Sequence, residues 1–186
     1  MKSIYERIRK LIFQPKEAWN EIETETITEL QLFQNYLIFL IGIPSIFGFL
    51  GWLFVGENLF VSLLWAIVIY ILTLSGIWLF SRSLSYFAQN FECTLDKINA
   101  SKIAGYAFTP LLIASVFFVI PPFSWLIILG ADSFVVLCLG LSKLIQCPSE
   151  KLLGMMISAC VTMLIIYLLI VVLAMRICGF SSLLPA

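Results

Sequence analysis

Apolar residues in this chain run in unbroken stretches of about 20, instead of alternating or recurring once per helical turn. Five such stretches fit residues 32–55, 59–80, 102–120, 123–145 and 152–175. At helical rise, each matches the roughly 30 Å hydrocarbon core of a bilayer. Turn residues separate them. Gly56-Glu57-Asn58 predicts a tight turn, Ile120-Pro121-Pro122 a corner, and the Pro148 stretch a short interruption before the last run. Thr28 and Gln31 have capping-box spacing ahead of the first stretch. Ser101 is placed to cap the third. The longest break, 81–101, carries Tyr86, Phe87 and Phe91, which predicts that part of it continues as an interfacial helix.

Ahead of residue 32 the pattern is different. Within residues 2–13, Ile4, Tyr5, Ile8, Leu11 and Ile12 share one helical face. Lys2, Arg7, Arg9 and Lys10 sit mostly on the other. This predicts a short amphipathic helix, resting either on an anionic lipid surface or on the protein's own loops. Pro15 suits the first turn of a second helix, and Trp19 is expected to anchor at headgroup level. Residues 24–29 read as a polar, acidic linker. The first fourteen residues lack the long apolar core and small-residue cleavage site of a secretory signal.

Composition supports the same class. The chain is 61% hydrophobic and 12% charged, with mean hydropathy +1.05. A soluble domain is nearer half apolar and a quarter charged. Continuous runs also exclude a transmembrane barrel, whose strands alternate. The expected fold is therefore an all-α polytopic membrane protein with five transmembrane helices and an N-terminal amphipathic helix. Residues 1–31 form a cytoplasmic segment and 32–186 the membrane domain. Lys and Arg set the orientation. Five precede the first stretch, three lie around the second break, and two flank the fourth, Lys143 and Lys151. The first and third breaks have none, and the tail has only Arg176. This alternation predicts a cytoplasmic N-terminus and an external C-terminus.

Candidate chemistry is sparse. Asp132 is the one carboxylate inside an apolar run. A charge at that depth costs about 2.5 kcal/mol or more, and no Lys or Arg lies at mid-depth to pair with it. A protonated carboxyl hydrogen-bonded to neighbours is the cheaper outcome. Tyr70, Thr162 and Ser115, with Thr73 and Ser45, lie at depths that reach it. They form the candidate intramembrane polar site, read either as a proton or cation site or as a satisfied interhelical hydrogen bond. Gly42, Ser45, Gly48 and Gly51 recur every three residues, predicting close helix packing, and Pro44 is expected to kink that helix.

Enzyme readings fail on missing parts. The chain has no histidine, which removes zinc-protease helices and Ser–His pairs. One buried Asp cannot make a carboxylate dyad. No cofactor and no metal is expected. The five cysteines have no paired spacing and read as small apolar packing residues. Net charge is zero, and nothing suggests nucleic acid.

Three stretches together resemble the Yip domain family, the Ypt/Rab-interacting membrane proteins, in its prokaryotic branch. The first is Pro15-Lys16-Glu17-Ala18-Trp19. The second is Gly105-Tyr106-Ala107-Phe108-Thr109-Pro110, followed by the Ile120-Pro121 corner. The third is Gly140-Leu141 with Pro148-Ser149-Glu150-Lys151. The resemblance implies five spans, a cytosolic N-terminus and an external C-terminus. For this branch it implies a multi-pass protein of the bacterial inner or archaeal plasma membrane, with no settled activity. Eukaryotic members bind Rab GTPases, but their Asp-Leu-Tyr-Gly-Pro motif is absent here and the N-terminal segment is short. Both points argue against a Rab-type GTPase partner. The expected partners are membrane lipids, other membrane proteins or a second copy. The expected role is a non-enzymatic membrane-organising or partner-binding scaffold. The alternative is a small transporter or ion-conducting subunit using Asp132.

Overall fold

The computed structural model describes residues 4–179. Two short helices, α1 (Ile4–Phe13) and α2 (Pro15–Thr24), form a hairpin. Five helices follow that are long and apolar enough to cross a membrane, numbered as the first to fifth spans: Glu29–Val55, Leu59–Asn90, Lys97–Val119, Trp125–Leu144 and Ser149–Ile177. No strand forms among the described residues; one antiparallel bridge, Thr94 to Gln146, joins two breaks.

Local sequence explains most helix ends. Pro15 stands in the first turn of α2, where its missing N–H costs nothing. The Thr28–Gln31 capping box forms, with both reciprocal bonds in place. Gly56 closes the first span in the left-handed region at φ 97°, and Asn58 caps the second span by accepting from Val61 N–H at 2.8 Å. Ile120 is extended, as a residue before proline should be.

The spans differ from the sequence expectation in three ways. The second span runs on as one helix to Asn90 instead of ending near Phe80. Its extension is held because Ser81 is buried and hydrogen-bonds Ser101 at 3.0 Å, while Arg82 pairs with Glu29. Ser101 does not cap the third span. That helix starts at Lys97, and Ser101 is buried one turn inside it. The cysteines are not all packing residues, because Cys93 and Cys147 are joined as a disulfide beside the Thr94–Gln146 bridge.

Two irregular turns interrupt the spans next to the hairpin. Phe33–Leu37 widens into a π turn within the first span. The third span breaks at Phe108, where Pro110 removes a helical donor. Past the break, Ser115–Val119 and Pro121–Ala131 are wound as 3-10 helix, which rises about 2.0 Å per residue.

The third span lies at the centre, with 67% of its apolar window inside the molecule. It packs on the second and fourth spans, and its end packs on the first. Gly51 lets the first span touch the Phe118 backbone, where any Cβ would collide with the carbonyl oxygen.

Candidate functional site

α2 turns its apolar face onto the spans; α1 does so only in part, burying Leu11 together with Arg7, which the sequence places on the polar face, and leaving Tyr5 exposed. Leu11, Ala18, Trp19 and Ile22 are fully buried. The buried side of the hairpin rests on the helices of the protein itself rather than on its loops. Trp19 is likewise not a headgroup anchor. Its indole N–H donates to the Val136 carbonyl at 2.9 Å, inside the fourth span. The ring lies where a side chain at Gly140 would be, and Tyr106 meets it edge-on at 6.1 Å. Tyr5 and Phe13 remain exposed.

A polar network locks the hairpin in place. Lys102, buried in the third span, donates to the Ile22 carbonyl at 3.0 Å and the Glu25 carbonyl at 2.6 Å, at the end of α2. Its ammonium therefore caps a helix C-terminus, where a cation is favoured. Arg7 donates to the Glu25 carboxylate at 2.7 Å, and its guanidinium stands 5.6 Å from the centre of the Tyr106 ring. Glu29 accepts from Ser101 at 3.0 Å and pairs with Arg82 at 3.4 Å. The π turn brings Tyr36 to Thr109, whose hydroxyls meet at 2.8 Å beside the break in the third span. This network uses side chains from α1, the linker and the first three spans.

Asp132 lies elsewhere. It is half-buried and opens the α-helical part of the fourth span, which continues directly from the 3-10 segment before it. It has no hydrogen-bond partner among the described residues. Its neighbour Ser133 accepts from the Leu111 N–H at 3.0 Å, next to the Pro110 break. The structure does not gather the predicted hydroxyls onto Asp132. Tyr70 donates to the Ile38 carbonyl, Thr162 to Ser158, Ser115 to Leu112 and Ser45 to Ile41. Ser115 and Thr73 instead line an apolar cavity of about 360 Å³ near the far ends of the first, third and fifth spans, with Trp52, Trp65 and Phe118.

The Yip1 domain model matches residues 9–173, from inside α1 almost to the end of the fifth span. The chain belongs to the Yip1 domain family. No curated protein and no solved structure matches it. Within this Yip1 domain the motif positions Pro15, Trp19, Gly105 and Tyr106 lie at the docked hairpin, while Pro110 and Pro121 lie further along the chain, past the break in the third span and at the corner. Pro15 starts α2, Trp19 fills the space over Gly140 and meets Tyr106 edge-on, and Gly105 packs closely on Leu32 and Leu37. Pro110 restarts the third span after its break, and Pro121 begins the 3-10 segment at the corner.

Sequence reasoning singled out Trp19 and Tyr106 but missed Arg7, Glu25, Glu29 and Lys102 as one group. Glu25, Glu29 and Lys102 share one signal: each is a charge within a few residues of the start of a span. Arg7 carries no such mark. Within α2, the spacing of Ala18, Trp19 and Ile22 marks a buried face.

Proposed function

We propose that this multi-pass membrane protein is a non-enzymatic scaffold that presents its docked α1–α2 hairpin to the cytoplasm as a preformed partner surface. The observation that carries the reading is the locking of the hairpin by Trp19 and Lys102. A surface already held in one geometry loses little conformational freedom on binding. The distribution of Lys and Arg supports a cytoplasmic N-terminus and an external C-terminus, in a bacterial inner or archaeal plasma membrane. The occupant is another membrane-associated protein or a second copy.

A photoreactive amino acid in place of the exposed Phe13 tests it in native membranes. The expected result is a discrete cross-linked species that disappears in the Trp19→Ala background. Adducts unaffected by Trp19→Ala mean the docked geometry plays no part. A reporter fused after Ala186 tests the orientation, and a cytosolic signal there reverses it.

Asp132 supports a second reading, transport, on one observation: a half-buried carboxyl, without a partner among the described residues, where 3-10 helix gives way to α-helix. It expects proteoliposome flux of protons or cations that Asp132→Asn abolishes. Absence of flux in the parent protein removes it.

A further inference from the structure

Beneath the hairpin lies a cavity of about 260 Å³, walled by α1, the linker, the π turn of the first span and Tyr106 of the third. Its lining mixes polar and apolar side chains, with a larger polar share than the apolar cavity at the far end. Gln31 and Asn35 stand at its exposed rim. Arg7 lines it while only 9% exposed. One terminal nitrogen of Arg7, Nη2, is used on Glu25, but the other, Nη1, is buried with no hydrogen-bond acceptor among the described residues. Buried guanidinium donors are nearly always satisfied, because leaving one unpaired is costly. The face of the Tyr106 ring attracts the cation without supplying a lone pair. The Tyr106 hydroxyl also lacks a hydrogen bond among the described residues, whereas that of Tyr36 is occupied by Thr109.

In the surrounding network Arg7, Arg82 and Lys102 stand against two carboxylates, Glu25 and Glu29; the cavity itself is lined by Arg7 and Glu25, and the third cation, Lys102, is held outside it on two backbone carbonyls. The cavity sits where the polar linker gives way to the first apolar span. Glu25 on the wall disfavours a dianion.

We propose that this cavity binds a phosphate monoanion, with Arg7 and Tyr106 donating to its oxygens, as the phosphodiester of a lipid headgroup or as free phosphate. Arg suits this role because its fork of donors matches phosphate oxygens. The proposal is independent of the scaffold reading, which needs the hairpin docked but the cavity neither filled nor empty.

The test measures binding to the full chain, purified in a neutral detergent, by native mass spectrometry. Three probes are compared: dihexanoylphosphatidylglycerol, dihexanoylglycerol with the same chains and no phosphate, and inorganic phosphate. The expected result is binding of the phospholipid about tenfold or more tighter than the phosphate-free lipid, a gap that Arg7→Gln removes. Arg9→Gln, on the exposed face of the same helix, keeps it. Competition by inorganic phosphate identifies the free anion as sufficient; phospholipid binding that phosphate does not displace identifies the headgroup. Tyr106→Phe retains the ring contacts and loses only the hydroxyl, so it carries the test if Arg7→Gln does not fold, with a weakening of about threefold or more expected. Equal binding of the two lipids, equal losses in Arg7→Gln and Arg9→Gln, or an unchanged Tyr106→Phe overturns the proposal.

Discussion

The third and fifth spans are built on opposite plans. The third presents Ala100, Ser101, Lys102, Ala104, Gly105, Ala107 and Thr109, all buried. The fifth presents Leu164, Ile165, Leu168, Leu169 and Leu173, all exposed, and only 22% of its apolar window is inside the molecule. In water the leucine-rich helix would be central, because hiding apolar surface drives folding there. In lipid a leucine gains nothing by turning inward. Small residues that allow backbones to approach, and polar groups that need partners, are what move to the centre. The central helix is therefore also the one that holds the hairpin, through Lys102 and Tyr106.

The sharpest way to break this contrast is to cut the hairpin loose. Trp19→Ala removes a fully buried ring and its bond to Val136, and should destabilise the protein by about 3–5 kcal/mol. Thermal unfolding in detergent measures this, and limited trypsin digestion at Lys10 or Lys16 should become faster. Lys102→Met keeps the volume but leaves the carbonyls of Ile22 and Glu25 without their donor, at a cost of about 1–3 kcal/mol. Rapid tryptic release of α1 with unchanged helix content is the expected signature; protection equal to the parent's contradicts the capping role.

Close packing gives a smaller pair. Gly51→Ala drives a methyl group into the Phe118 backbone and should cost about 1–3 kcal/mol. Gly42→Ala, with nothing within 4 Å, should leave the melting temperature near that of the parent. Equal effects of the two would show that the glycine stripe acts through chain flexibility and not through contact. The smallest effect belongs to the lipid-facing fifth span, where Leu168→Ala should change stability by less than about 0.5 kcal/mol. A loss as large as that of Gly51→Ala would place Leu168 against a protein neighbour.

Features set by neighbouring residues were legible in the sequence. The Thr28–Gln31 box, the Gly56–Asn58 turn, Pro15 at the start of α2 and the five apolar runs all depend on residues a few positions apart. Features set across the bundle were not. The second span outlasts its apolar run because Ser81 finds Ser101 and Arg82 finds Glu29, partners 20 and 53 residues away. Trp19 has the chemistry of a headgroup anchor, and only the missing side chain of Gly140, far along the chain, makes room for it inside. Cys93 and Cys147 are 54 residues apart, with no spacing that marks them as a pair. The candidate site was half visible. Asp132 and its hydroxyls were matched by depth alone, whereas Ser45, Tyr70, Ser115 and Thr162 each donate to a backbone carbonyl one turn away or on the next helix.

The staple between Cys93 and Cys147, with the Thr94–Gln146 bridge beside it, ties the link after the second span to the link before the fifth. Tongs riveted at one end can part only at the other. Breathing among these helices is thereby directed away from the rivet, toward the end where the 3-10 coils and the larger oily hollow lie.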